Sequence, residues 1–309
     1  MAAEKLTWRP QKILVGFDGS PGADDAVELA RVFSGVDSEV LLVNVVPYLG
    51  PMPVSFYLLG YRETPEAKGF FQEACDVLEE ADVQVRSYYG GSPAHVLTDI
   101  AEEEGFDLIV IGSPHRGSAG RALLGSVAQG LMHGAPVPTV AAPHGYAQRH
   151  HGHPREIAVS YDGMPESAAA LRHGEVLARA WGASLKLLTV ATVPTTVAGM
   201  LGYVPPLPKS PKEVLEDGLA AVDEEIPVEG RELDGRSIPI AIAEACEGAD
   251  LLISGSRGYG PFSRVMIGSV STALIHTAPC PVLIVPRPAT NARRVSSEAQ
   301  DEAPQPASQ

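Results

Sequence analysis

A chain of 309 residues has room for two domains of about 100–200 residues each, and with 45% hydrophobic and 20% charged residues it is composed like a packed globular protein. Its 38 acidic residues against 23 basic ones leave a net charge of −15, which disfavours non-specific binding to a nucleic-acid backbone or an anionic membrane surface. Three cysteines, Cys75, Cys246 and Cys280, show no C-x-x-C spacing and argue against a disulfide framework, so a reducing cytoplasm is the expected location.

Residues 1–10 hold no continuous apolar stretch and do not read as a secretory signal. From there, short β-branched runs alternate with helix-like segments. Strands are expected over residues 12–17, 39–46, 84–89, 108–112 and 138–142. Ala26, Leu29, Ala30 and Phe33 fall at helical spacing and make one apolar face, and further helices fit 65–80, 93–104 and 126–133. Two uncharged runs, 40–61 and 187–208, are long enough to span a bilayer. Both are interrupted by prolines, among them Pro47, Pro51, Pro53, Pro205, Pro206 and Pro208, which a lipid-exposed helix cannot accommodate, so no membrane insertion is expected.

The chain then repeats itself. Asp18 answers Asp162 at an offset of 144, while Gly112, Arg121, Gly125, Ser126, Val127, His133 and Pro143 answer Gly255, Arg264, Gly268, Ser269, Val270, His276 and Pro286 at 143. Two homologous domains follow, 10–145 and 155–288, with a polar linker at 146–154 and a tail at 289–309 whose composition reads as disordered. Strand–helix alternation with continuous apolar strands specifies α/β domains, each a parallel sheet with helices on both faces. Ligands in such sheets sit beyond the strand carboxyl ends where the strand order reverses, which directs attention to the residues after strands one, two and four.

After strand four of the second module stand Gly255, Ser256, Arg257 and Gly258, then nine residues, then Gly268 and Ser269 at a helix entrance. Glycines there admit a ligand to bare backbone N–H groups, and a helix N-terminus favours phosphate. Ser269 and Ser271 can donate to phosphate oxygens, and Arg257 and Arg264 can neutralise charge. No G-x-x-x-x-G-K-[ST] motif occurs, and all six lysines lie outside these loops, so a Walker-type NTPase is unsupported. A competing assignment for Asp18 and Asp162 is an acid that closes a strand-to-helix turn. His144, His150, His151 and His153 fall in the linker without a Cys or carboxylate beside them and read as solvated, so no metal site is expected. His133 and His276, late in equivalent helices, suggest interaction with a helix C-terminus.

Over residues 10–288 these features resemble the universal stress protein family in its tandem form. Asp18 and Asp162, the G-x-x-G, nine-residue, G-[ST] pattern and the closing segment Ala278 to Pro286 carry the likeness. The resemblance implies two tandem flavodoxin-like (Rossmann-like) domains, each a five-stranded parallel sheet of order 3-2-1-4-5. It also implies ATP binding, with Mg possible beside the nucleotide, and little or no turnover. By position, Asp162 and Val190 match the family's adenine- and ribose-side contacts, with Asp18 and Val45 their counterparts in module one. The rest of the implied site is Gly255, Arg257, Gly258, Gly268, Ser269, Val270 and Ser271 in module two, and Gly112, Gly125, Ser126 and Val127 in module one. Module one departs from the pattern, with His115 in place of the second loop glycine and Ala128 in place of Ser271.

With no serine on a G-x-S-x-G turn and no recurring carboxylate pair, no catalytic residue is assigned. The expected activity is nucleotide sensing in a stress response, read by an unknown signalling partner. The competing readings are a nucleotide-independent scaffold of the same fold and a slow ATP hydrolase. The resemblance further places an intramolecular or homodimeric contact at the fifth strands, 138–142 and 282–286. The proline-rich segments 47–61 and 192–208 are expected to be lids or interfaces.

Overall fold

Module one of the computed structural model runs β1 (Lys12–Gly16), α1 (Pro21–Phe33), β2 (Glu39–Val46), α2 (Pro65–Val77), β3 (Asp82–Tyr89), α3 (Pro93–Glu103), β4 (Leu108–Gly112), α4 (Ser126–Gly134) and β5 (Thr139–Ala142). Module two repeats the order as β6 (Glu156–Ser160), α5 (Pro165–Trp181), β7 (Ser184–Ala191), α6 (Pro211–Ala221), β8 (Val228–Asp234), α7 (Ile238–Ala245), β9 (Leu251–Gly255), α8 (Ser269–Thr277) and β10 (Val282–Val285). The structure describes residues 10–46, 65–89, 91–112, 125–149, 152–191, 209–235, 237–256 and 269–286. The proline-rich segments 47–61 and 192–208 fall outside these residues.

All ten strands join one sheet in the order β3-β2-β1-β4-β5-β10-β9-β6-β7-β8, so each half reads 3-2-1-4-5. Pairing is parallel within each half, as between β1 and β2 or β6 and β7. The halves meet where β10 runs antiparallel to β5, with Val282 opposite Ala141, Leu283 opposite Val140 and Ile284 opposite Thr139. Apolar fifth strands left as edges would invite association with other chains, and here each covers the other. The outer edge at β8 is guarded differently: Glu229, Arg231 and Glu232 are exposed along it. A cavity of about 10 Å³, the space of one water, lies at the seam between Leu131 and Thr139 on one side and Ser256 and Ile284 on the other.

Side-chain alternation along the strands sorts the core into two layers. Ile13 and Val15 of β1 and Ile157 and Val159 of β6 face a layer closed by α1, α2, α5 and α6, including Leu29, Phe71, Leu177 and Leu215. Leu14 and Ala158 face the other, closed by α3, α4, α7 and α8 through Leu97, Leu131, Ile242 and Leu274. Both layers run across the seam. Among the described residues no helix is long and apolar enough to cross a membrane; residues 40–46 and 187–191 of the two uncharged runs are sheet strands.

α1 starts where local chemistry asks it to. Ser20 is its N-cap, accepting from the Ala23 N–H at 3.3 Å, and Pro21 supplies a preset φ at the first turn. The expected stripe of Ala26, Leu29, Ala30 and Phe33 is buried, at 3% exposure or less. The linker departs from expectation, because its first residues are docked rather than solvated. Tyr146 is 5% exposed, and the buried Asp25 carboxylate of α1 accepts from Gly145 N at 2.9 Å and Ala147 N at 2.8 Å. Farther along, the His153 ring stacks on Trp181 of α5 with centroids 5.8 Å apart, and Trp181 meets Phe33 of α1 edge-on at 5.2 Å. Two aromatic contacts therefore tie the linker and both first helices together.

Candidate functional site

The strand order reverses between β1 and β4, because the chain winds one way through β2 and β3 and the other way through β4 and β5. A cleft of about 320 Å³ opens there in module one, at the carboxyl ends of the strands. It brings together five residues singled out in the sequence: Asp18 after β1, Val45 on β2, Gly112 at the end of β4, and Gly125 and Val127 at the start of α4. Phe17, Gly22 and Ala128 also line it.

The turn after β1 is rigidly held. Phe17 N donates to Val43 O at 2.8 Å, and the Asn44 side-chain amide donates to Phe17 O at 2.9 Å. Asp18 Oδ1 then accepts from Ser20 N at 3.0 Å across Gly19, whose φ of 73° favours glycine. Module two repeats each contact with different residues. Tyr161 N donates to Leu188 O at 2.9 Å, Thr189 Oγ1 donates to Tyr161 O at 2.9 Å, and Asp162 Oδ1 accepts from Met164 N at 3.1 Å across Gly163 at φ 75°. Both aspartates thus close the turn, and the exposed Asp18 carboxylate also borders the cleft.

Gly112 and Gly255 owe their lack of a side chain to helix packing. A Cβ on Gly112 would lie 1.7 Å from the Gly22 carbonyl oxygen of α1, and one on Gly255 would lie 2.5 Å from the Glu166 carbonyl oxygen of α5. The bare strand end lets the first helix of each module close onto the switch point. Gly125, which also lines the cleft, caps α4 without any side-chain hydrogen bond. The first N–H groups of that helix have no intrahelical acceptor, and Gly125, Val127 and Ala128 place this positive end in the cleft wall. In module two the Ser271 hydroxyl, 2% exposed, donates to Gly255 O at 3.0 Å and so ties α8 to the end of β9.

Burial and neighbouring charge shape the surroundings. Asp24 of α1 is raised above the usual carboxylate range by burial and by Asp25, Glu73 and Asp18. Tyr161 is raised by burial and then by Asp217 and Asp162, an effect opposed by Lys209. His276 is lowered by burial. Val190 and Val270 are partly buried against the second core layer. Arg257, Gly258, Arg264 and Gly268 lie outside the described residues, as does the module-one loop with His115 and Arg121. Ser126 and Ser269 are the first residues of α4 and α8.

Sequence reasoning passed over Gly22 and Glu166, although the offset of 144 that pairs Asp18 with Asp162 also pairs these two. It also passed over Asp107 and Asp250. Asp107 Oδ2 accepts from Gln11 N at 3.0 Å and Lys12 N at 2.9 Å, and Asp250 Oδ2 accepts from Arg155 N at 2.8 Å and Glu156 N at 3.0 Å. Each fastens the start of its module's first strand.

Comparison with known proteins follows the same division. The model of the universal stress protein family matches twice, over residues 10–143 and 154–286. A universal stress protein of Mycolicibacterium smegmatis is 29% identical over 295 residues, covering 88% of this chain and 96% of its own length. One of Mycobacterium tuberculosis H37Rv is 26% identical over 305 residues, covering 89% and 98%. Among solved structures, a universal stress protein of Archaeoglobus fulgidus aligns with a TM-score of 0.66 at 22% identity, covering 91% of this chain and all of that one, a likeness of fold.

Proposed function

The chain belongs to the universal stress protein family in tandem form, and on that premise we propose that it binds an adenine nucleotide, ATP, at its switch-point sites and works as a nucleotide-sensing stress-response module without significant hydrolysis. The observation that carries this reading is the cleft of about 320 Å³ in which Asp18, Val45, Gly112, Gly125 and Val127 converge. Its volume suits a small molecule. Val45 and Phe17 offer apolar surface to a base, while the start of α4, whose Gly125 cap has no side-chain acceptor, offers N–H groups and a partial positive charge to phosphate. The glycine pattern at Gly255, Gly258 and Gly268 makes module two the second candidate for the same ligand. The three free thiols are consistent with work in the cytoplasm.

The described lining of the cleft supports the reading without turnover. Asp18 is the one carboxylate bordering the module-one cleft among the described residues, and its Oδ1 is already engaged by Ser20 N. Hydrolysis calls for a positioned base or water-orienting group at the terminal phosphate, and Asp18 is held in the turn after β1, on a different element from the α4 start. The test is calorimetric titration of ATP into nucleotide-stripped protein, followed by phosphate-release measurements. Binding that Gly125→Val abolishes in a protein of unchanged circular dichroism supports the site, with turnover slower than ~1 per minute against ~1–10³ per second for enzymes. Undiminished binding by the folded variant would remove the module-one assignment.

A further inference from the structure

We propose that the seam between the two modules binds one buried water molecule, which bridges the Ser256 hydroxyl of module two to the Thr139 hydroxyl of module one. The inference concerns the joint of the sheet and stands apart from the nucleotide reading, since none of the residues it uses lines the module-one cleft.

Ser256 follows directly on β9, and its backbone N–H donates to Val285 O at 2.9 Å, which fixes the residue against the end of β10. Its side chain is left with an unmet demand. The residue is 1% exposed, and its Oγ is the one buried side-chain polar atom among the described residues that has no hydrogen-bond partner. A hydroxyl buried in this way gives up its bonds to bulk water on folding and regains none. Groups of this kind in folded proteins are satisfied by protein or by an ordered water. Here no protein group among the described residues does so, and Ser256 lines the seam cavity of about 10 Å³.

The cavity offers a water the room and the second partner it needs. Its volume is that of one water, and a cavity of this size with wholly apolar walls would stay dry. Thr139, 2% exposed, lines it from the module-one side. The Thr139 Oγ1–H donates to Val137 O at 3.4 Å, close to the limit of a hydrogen bond, and the Oγ1 lone pairs are left to accept. Donors and acceptors then match along one chain: the Ser256 hydroxyl donates to the water, the water donates to Thr139 Oγ1, and Thr139 donates to Val137 O. Thr139 stands opposite Ile284 in the antiparallel pairing, and Ile284 also lines the cavity, so the bridge falls at the junction itself. Strand pairing there consists of three residue pairs, and the water adds a polar tie between the modules beside them.

The experiment has two arms. The first is a crystal structure of the full wild-type chain at a resolution that shows ordered water, and a water at ~2.6–3.2 Å from both Ser256 Oγ and Thr139 Oγ1 is expected. A direct Ser256–Thr139 hydrogen bond, or a cavity with no ordered water in it, would overturn the proposal. The second is a double-mutant cycle of urea unfolding on wild type, Ser256→Ala, Thr139→Val and the double variant. Each single change should lower the folding equilibrium constant about fivefold, and the double variant should fall short of the product of the two losses by at least about threefold, because either change alone already deprives the water of a partner. A Ser256→Ala protein more stable than wild type would show that the hydroxyl is unsatisfied in solution, and losses that simply multiply would show that no bridge joins the two residues; either result overturns the proposal. Should a variant fail to fold, the wild-type crystal structure decides alone.

Discussion

The two modules share their backbone plan and differ in the side chains that fasten it. Asp107 and Asp250 perform one task in both halves, each holding two N–H groups at the start of a first strand. Asp25 has no such twin, because the corresponding position in α5 is Ala169. Module one anchors the segment that leaves it through Asp25, and Ala169 of module two offers no carboxylate for the same task. The strand-start contact is thus common to both modules, and the helix-to-linker contact belongs to module one.

The largest expected effect probes a shared contact of unequal tightness. Gly112→Ala should destabilise the protein by about 3 kcal/mol or more, since its Cβ meets backbone at 1.7 Å and only helix movement can relieve it. Gly255→Ala, where the nearest atom is at 2.5 Å, should cost less. Urea unfolding of both variants ranks them, and the reverse order would contradict the packing described.

Asp25→Ala tests the contact that only module one has. It leaves two N–H groups of the docked linker without their acceptor and should cost about 2–4 kcal/mol. Proteolysis within residues 145–149 should accelerate in parallel. A loss under 0.5 kcal/mol would mean that the linker is held by Tyr146 burial alone.

A smaller difference lies in the first helices, where Leu29 of module one answers His173 of module two. Burial lowers the His173 pKa from 6.5, although its Nδ1–H donates to Ala169 O at 2.9 Å, an interaction that opposes the shift. The folded protein therefore binds fewer protons than the unfolded chain below pH 6.5, so this stability is complete above about 6.5 and is lost as pH falls toward the lowered folded value. Replacing His173 with Leu, the module-one residue, should flatten the dependence of the urea midpoint between pH 5 and 7. An unchanged slope would refute the assignment.

The smallest effect concerns thiols. Cys246 at the end of α7 and Cys280 before β10 are buried side by side in module two, and the Cys280 thiol is pushed up by its hydrogen bond with Cys246 and by burial. Cys75 in module one is half-buried and raised by burial to a lesser extent. Under native conditions an aromatic disulfide reagent should modify Cys75 first, with the other two reacting only on unfolding. Early modification of Cys280 would show that the β10 start opens more readily than the core suggests.

Much of the fold was legible in the residues. Predicted strands 39–46 and 108–112 match β2 and β4, and the helix stripe from Ala26 to Phe33 faces the core as periodicity required. The ends were less legible: the strand expected at 84–89 begins at Asp82, and the helix expected to reach residue 80 stops at Val77. In both cases the margin mixes apolar and polar residues, Asp82 and Val83 at the strand start and Leu78, Glu79 and Glu80 past the helix, so the pattern sets no sharp boundary. Of the site, Asp18, Val45, Gly112, Gly125 and Val127 were legible through the repeat, and the structure brings them to one cleft. The reason for Gly112 was not legible, since a glycine that admits a ligand and one that admits a helix look alike in a sequence.

What the sequence determined by itself is whatever depends on residues within a few positions of one another: strand and helix periods, the caps at Ser20 and Pro21, the turn at Asp18, and a repeat that announced two domains. The tertiary structure decided what depends on positions tens to more than a hundred residues apart. Asp25 reaches the linker, Glu166 meets Gly255, and Cys246 meets Cys280, and no local pattern encodes these meetings. The physical reason is that local preference selects a backbone conformation for each segment, whereas the depth at which a side chain is buried and the charge it faces are set only when distant segments close against one sheet.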